Sequence, residues 1–296
     1  MKITTAGSTG NVGLPLVKLL VSAGHEVTVI TSNSERRNAI EALGARAAVG
    51  TISDPEFLTN AFTGADAVFT MTPPAMGTNI IENIAQAGNA YAEAIRTSGV
   101  QRVVMLSSIG AELAEGTGPI KAVHRVEQSF RQLQGVNLTI LRSGYFFYNF
   151  FRDIPMIRNQ HVLLNNYGGA DKLLFAHPKD IAAAIAEELQ TTGSGIEVKY
   201  MVSDILTGDE VAAALGEAIG MADLRWLAVP DAELEQGMRA AGLPQELAGL
   251  ITEMGRATRE GLVTADFFES AAEVSGRTKL AEFAAEFRKK YEEHQS

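Results

Sequence analysis

The chain has 296 residues, 46% of them hydrophobic, no cysteine and a formal net charge of −10. That length and apolar content suffice for one large α/β domain, or a domain with a smaller partner, and argue against general disorder. The lack of cysteine excludes disulfides, thiolate metal sites and cysteine nucleophiles, and fits an expected cytoplasmic location.

The opening residues carry the strongest local signal. Lys2–Ala6 reads as a short buried strand, and Gly7-Ser8-Thr9-Gly10-Asn11-Val12-Gly13 follows it. Three glycines at three-residue spacing, set between a strand and a helix, suit a dinucleotide pyrophosphate. Glycine lets the backbone turn sharply and come close to the phosphates, and the next helix presents free N–H groups and its positive dipole end. Leu14 to Val21 supplies a broad apolar helix face, with Pro15 tolerated in the first turn, and Gly24 ends the helix. Glu26–Thr31 is the second strand. In dinucleotide folds an acid at its end binds the ribose 2′-OH and favours NAD. Here Thr31-Ser32-Asn33-Ser34 holds no acid before Glu35, and Arg36 and Arg37 come next. Hydroxyls and arginines suit a 2′-phosphate, so NADP(H) is favoured over NAD(H).

A third strand at 45–49 leads to Gly50 and Thr51, and Ser53 or Asp54 caps a helix from Pro55 to Phe62. Strand four, 66–71, stops at Thr72-Pro73-Pro74. A long amphipathic helix spans 78–97. Strand five, 101–106, ends in Ser107-Ser108, and a helix with Lys121, His124 and Glu127 precedes strand six at 136–141. This β-α alternation predicts a doubly wound parallel sheet of Rossmann type over residues 1–150. Residues 151–296 are expected to form a smaller, mostly helical substrate or lid region, with strands near 173–176 and 197–202 returning to the Rossmann sheet. Tyr145-Phe146-Phe147-Tyr148-Asn149-Phe150-Phe151 is the densest aromatic cluster and follows a strand end, where ligands bind in such folds.

Residues 1–150 are charge-neutral, with 11 Lys+Arg and 11 Asp+Glu, so the whole net charge lies in the second half. No basic face for nucleic acid is evident. No apolar run approaches the ~20 residues that span a bilayer, and the opening reads as a strand rather than a signal peptide. Five scattered histidines make no zinc motif, so no metal is expected.

The Gly7–Gly13 turn, Gly50 with Asp54, the Val103–Ser108 strand, His124 with Glu127, Thr139-Ile-Leu-Arg142, Phe146–Asn149, Asp180-Ile-Ala and Gly276-Arg277 form an ordered set over nearly the whole length. In this set the chain resembles the NmrA-like group of atypical short-chain dehydrogenases/reductases. That group includes quinone and triphenylmethane-dye reductases, imine reductases and redox-sensing regulators. The resemblance implies cofactor contacts at Gly7–Gly13, Thr31, Ser32, Arg36, Arg37, Thr51, Thr72, Pro73 and Ser107. It also implies a substrate pocket at Pro74, Ser108, His124, Tyr145, Phe146 and Phe147.

One departure matters. Typical short-chain dehydrogenases use Tyr-x-x-x-Lys as an acid, and none of the six tyrosines here has lysine four residues on. The corresponding positions hold Pro119 and Val123. His124 and Tyr145 are the remaining candidates for proton donation. Two functions follow as expectations. One is an NADPH-dependent reductase of an electron-poor small molecule such as a quinone, dye or imine, which needs little acid catalysis. The other is a non-catalytic NAD(P)(H) sensor acting through protein partners. A monomer or homodimer is expected.

Overall fold

A computed structural model describes residues 1–73 and 77–293. The strands are β1 (Lys2–Thr5), β2 (Glu26–Thr31), β3 (Arg46–Val49), β4 (Ala67–Thr70), β5 (Arg102–Ser108), β6 (Asn137–Ser143), β7 (Tyr145–Phe146), β8 (Val162–Asn165), β9 (Lys172–Ala176), β10 (Ile196–Met201), β11 (Asp204–Thr207) and β12 (Arg225–Ala228). The helices are α1 (Gly13–Ser22), α2 (Arg37–Glu41), α3 (Pro55–Phe62), α4 (Ile80–Ser98), α5 (Ile120–Arg131), α6 (Ile154–Gln160), α7 (Pro178–Glu188), α8 (Gly208–Ile219), α9 (Asp231–Ala240), α10 (Gln245–Arg259), α11 (Ala265–Glu269) and α12 (Leu280–Glu293).

Seven strands form one parallel sheet in the order β10-β6-β5-β4-β1-β2-β3. Alternating side chains split each strand between two cores. Ile3, Val29, Phe69, Val104 and Leu141 face α1 and α7. Ile30, Val68, Val103, Met105 and Ile140 face α3, α4 and α5. Burial on both faces explains why these strands read as continuous apolar runs. The chain order reverses between β1 and β4. In open parallel sheets, ligands bind outside the carboxyl ends of the strands at such a switch point.

The expected return of two strands to this sheet is half correct. β10 joins it, pairing with β6 from Ile196↔Leu138 to Met201↔Ser143. The 173–176 strand does not. β9 belongs to a separate three-stranded sheet between β11 and β7. The reason is local: β7 leaves the main sheet immediately after Gly144 and offers β9 a parallel edge, while β11 pairs antiparallel on its other side.

A third core joins Phe147, Phe150, Phe175, Leu215, Trp226, Phe283 and Phe287. It holds α8 and the terminal helix α12 against the short turn Phe147–Asp153. The chain's last segment is fastened by Asp180. Its carboxylate accepts from Ser203 Oγ (2.7 Å), Thr278 N (2.8 Å) and Thr278 Oγ1 (3.0 Å). A Cβ on Gly276 would sit 2.5 Å from Ser203 Oγ, so Gly276 is the residue that lets this clasp close. The Asp180 and Gly276 motif positions are therefore a latch between the main sheet and α12. No described helix is long and apolar enough to cross a membrane.

Candidate functional site

The glycine turn starts where β1 ends. Gly7 has φ +95° and Ser8 φ +52°, so the chain reverses in the left-handed region within two residues. The three glycines serve different ends. A Cβ on Gly7 would lie 2.4 Å from Met71 Sδ, and one on Gly13 would lie 2.0 Å from the Ser8 carbonyl oxygen. Both are demanded by internal packing. A Cβ on Gly10 would meet nothing nearer than the Gly7 carbonyl at 3.5 Å. The protein itself could tolerate a side chain there. What a side chain would fill is the cleft, which Gly10 lines. No side chain caps the start of α1. Leu14 N donates to the Gly10 carbonyl (2.9 Å), Leu16 N to the Val12 carbonyl (3.1 Å), and Pro15 has no N–H, so Gly13, which lines the cleft, carries the one amide of this first turn left for it.

At the end of β2 the two arginines part. Arg36 Nη1 donates to Ser8 Oγ at 3.3 Å, so its guanidinium stands at the glycine turn. Arg37 pairs along its own helix with Glu41 at 3.7 Å on the exposed surface. Thr31 is buried and Ser32 is exposed. The Thr31 hydroxyl exchanges hydrogen bonds with the Asn33 backbone, and the Asn33 side chain caps the turn by accepting from Glu35 N at 2.9 Å. Thr51 is exposed beyond β3, and its Oγ1 accepts from Ser53 N at 3.3 Å.

From the turn a cleft of about 620 Å³ runs across the carboxyl ends of β1, β4, β5 and β6. Gly7, Gly10, Asn11, Val12, Gly13, Thr72 and Ser107 line its first part. Ser108, Tyr145, Phe146 and Phe175 wall the other end, and Ile251, Met254, Val263 and Thr264 from the C-terminal half cover it. Ser8, Thr9 and Pro73 lie outside that lining. Pro74 lies outside the described residues.

Behind Ser107 stands a buried ionic network. Ser107 Oγ donates to Glu127 Oε1 at 2.5 Å. Arg142 grips the same carboxylate through Nε (3.0 Å) and Nη2 (2.9 Å), and both side chains are nearly inaccessible. Arg142 Nη1 also reaches Glu112 at 3.1 Å and Asp266 of α11 at 2.7 Å. Tyr200 donates to the same Asp266 carboxylate. Burial works against the Arg142 charge, but Glu127 outweighs it and holds the guanidinium protonated beyond the usual arginine value. The network fixes Ser107, with its proton committed to Glu127 and its oxygen lone pairs left for the cleft. It also ties the covering segment to the sheet.

The aromatic run divides by position. Tyr145 is 38% exposed and lines the cleft, and Phe146 lines it too. Phe147 does not. It is fully buried, stacked between Phe175 (5.1 Å) and Phe283 (5.0 Å), so the expected pocket role is corrected to a core role. The chain changes there from strand to a three-residue-per-turn helix, which turns Phe147 inward and brings Asn149 and Arg152 to the cleft instead. Burial raises the Tyr145 pKa, so it remains a neutral phenol. Burial likewise pushes the neighbouring Asp153 carboxyl up to about 7 against the opposing pull of Arg152.

His124 is also turned away from the cleft. Its Nδ1 lies 2.8 Å from the Ala111 carbonyl, and Val123 takes the place on the wall. His177 is buried behind the aromatic core, where Nδ1 accepts from Lys179 N at 3.1 Å and caps α7. Sequence reasoning did not find Arg152, Tyr167 or the covering residues, and it had Asn149 only as a position in the aromatic run. Arg152 had one signal: it is the first charge after the aromatic-rich stretch 145–151. No group of metal-binding side chains occurs among the described residues.

An all-parallel sheet in the order 3-2-1-4-5-6-10, with a glycine turn at its switch point and a cleft across its carboxyl ends, defines a Rossmann-like protein. The chain belongs to the NmrA-like family, whose model matches residues 1–284. It is similar to an NAD(P)H azoreductase of Xenophilus azovorans, 28% identical over 288 residues that cover 95% of this chain and 96% of that one. In fold it is similar to an NADPH-dependent quinone oxidoreductase of Escherichia coli complexed with NADPH (TM-score 0.81, 21% identity, 96% of this chain and 99% of that one). The triphenylmethane reductase of Citrobacter sp. complexed with NADP(H) gives a TM-score of 0.80 at 22% identity, with the same coverage.

Proposed function

We propose that this chain is an NADPH-dependent reductase of small electron-poor acceptors such as quinones, dyes or imines. The observation that carries this reading is the continuity of one cleft from the glycine turn to the Tyr145–Phe146 wall. The similar proteins named above are reductases by name, one of azo compounds, one of quinones and one of triphenylmethanes.

The residues fit a bound NADPH. Gly10 leaves room for the pyrophosphate, and the start of α1 offers it the Gly13 amide and the positive end of the helix dipole. Arg36, beside Ser8 with no acid at the end of β2, suits the 2′-phosphate. Ser107, held by Glu127, offers an acceptor oxygen to the ribose. When bound, the cofactor supplies a hydride, which with one proton reduces a quinone to its hydroquinone by two electrons.

The chain's own contribution is position and exclusion of water. Aromatic walls seat a flat acceptor, and Met254, Val263 and Ile251 cover it. Proton delivery is weak by construction. Ser107 and Ser108 give their hydroxyl protons to Glu127 and to the Ile109 carbonyl, and Tyr145 is a phenol with a raised pKa. Such a site favours acceptors whose electron demand already draws the hydride.

The sole tryptophan, Trp226, packs 5.4 Å from Tyr167, which lines the cleft, so intrinsic fluorescence reports occupancy. NADPH titration should quench it more tightly than NADH, and NADPH should then be oxidised on adding a quinone. Binding with no turnover on any quinone, dye or imine would replace this reading with that of a nucleotide sensor. No binding of either nucleotide would overturn both.

A further inference from the structure

The acceptor end of the cleft has an unusual charge content. Among the described residues that line the cleft, Arg152 alone is charged, and no aspartate, glutamate, lysine or histidine joins it. Arg152 makes no ion pair or hydrogen bond among the described residues, although Asp153 is its chain neighbour. Burial raises the pKa of the Asp153 carboxyl to about 7, so near neutral pH this neighbour only partly offsets the guanidinium.

The guanidinium is set on a rigid base. Arg152 belongs to the turn Phe147–Asp153, whose Phe147 and Phe150 are locked in the third core. Around it stand further donors. Tyr145 and Tyr167 both line the cleft, both have pKa values raised by burial, and both therefore present O–H groups. Asn149 also lines the cleft, with its amide hydrogen-bonded to the Tyr145 side chain. A planar cation with phenol donors, beside walls of Phe146 and Phe175, is complementary to an aromatic body bearing an oxyanion.

We propose that the cleft is specific for aromatic acceptors carrying an anionic substituent, a carboxylate or sulfonate, with Arg152 as the residue that reads it. This rests on the reading of the cleft as an acceptor site. It also sets the charge preference: the chain's overall −10 would draw cations from a distance, but that field is screened within about 10 Å at ordinary salt. Among the described residues that line the cleft, the one fixed charge is positive.

The test compares 1,4-naphthoquinone-2-sulfonate with 1,4-naphthoquinone in the wild type, Arg152→Gln and Arg152→Glu. Arg152 is exposed, so both variants should fold, as checked by thermal melts. The ratio of kcat/KM for the sulfonated over the neutral quinone should fall about 10- to 100-fold in Arg152→Gln, the range of one charge-assisted contact. The fall should lie in KM rather than kcat. Arg152→Glu should lower the ratio further, and NADPH affinity should hold in both variants. An unchanged ratio, or a matching loss of NADPH affinity, would overturn the proposal.

A second readout needs no turnover: binding of 2-naphthalenesulfonate to the NADP⁺-loaded protein. Binding by the wild type that is lost in Arg152→Gln supports the anion site even if no quinone is reduced, and in that case it is the reductase reading that fails. No naphthalenesulfonate binding by the wild type would overturn the anion site, whether or not neutral quinone is reduced.

Discussion

Glu127→Gln tests the buried network directly. Glu127 is 1% exposed and Arg142 is 6% exposed. The substitution removes the carboxylate that takes two Arg142 bonds and the Ser107 hydroxyl. An amide can accept at its oxygen only, so its NH₂ must face at least one of these donors. Breaking a buried pair by removing one partner costs about 3–5 kcal/mol. Glu112 and Asp266 still hold Arg142, which places the loss near the low end, at about 3 kcal/mol. With a urea slope of about 3 kcal/mol/M for a chain this size, the midpoint should drop by about 1 M. Glu41→Gln breaks an ion pair that is half exposed on both sides and should cost less than about 0.5 kcal/mol. Asp266, 124 residues beyond Arg142, shares that guanidinium with Glu127, so Asp266→Asn combined with Glu127→Gln should lose more than the two single losses added. A midpoint shift for Glu127→Gln no larger than for Glu41→Gln would refute the reasoning.

Three further outcomes follow from the same geometry. Gly10→Val should fold with near wild-type stability and lose NADPH binding, because its Cβ meets only the cleft. Gly13→Ala should instead lower the melting temperature, because its Cβ meets the Ser8 carbonyl at 2.0 Å; the opposite pattern in thermal melts and fluorescence titrations would contradict this division of roles. Arg36→Ala should weaken NADPH about tenfold or more while sparing NADH, and Arg37→Ala should change neither; this sharpens the sequence expectation that both arginines act together. Asp153 titrates near 7 when folded and near ~3.9 when unfolded, so the folded chain holds a proton the unfolded chain has released. Its contribution to stability therefore declines as pH rises from about 4 to about 7. Asp153→Asn should gain on the order of 1–2 kcal/mol over wild type at pH 8 and nothing at pH 4; parallel stability curves would refute it.

Much of the fold was legible because its signals are local. The β2 range 26–31 and the α3 range 55–62 match the sequence reading, since alternation, Pro55 and the Asp54 cap act within a few residues. Asp54 Oδ1 accepts from Glu56 N and Phe57 N, as that cap requires. The 173–176 strand was legible as a strand but not in its partner, because pairing depends on where β7 leaves the sheet. Phe146 and Phe147 are adjacent and alike in type, and only the switch from strand to helix at that point separates wall from core. The cleft's cover was hidden for a different reason. Met254 and Val263 are more than a hundred residues from Ser107 in sequence and carry no motif. The Arg142–Asp266 contact is equally remote, although Glu127 and Arg142 themselves stood out as motif positions.

The central claim is that this cleft both holds NADPH and delivers its hydride. A single-turnover experiment tests it most directly: the protein loaded with equimolar NADPH is mixed with excess 1,4-naphthoquinone, and NADPH absorbance is followed against a protein-free blank. The structure predicts loss of the full NADPH signal with one quinone consumed per cofactor, and loss of that acceleration in Gly10→Val. Tight NADPH binding with no oxidation above the blank, repeated for dye and imine acceptors, would contradict it.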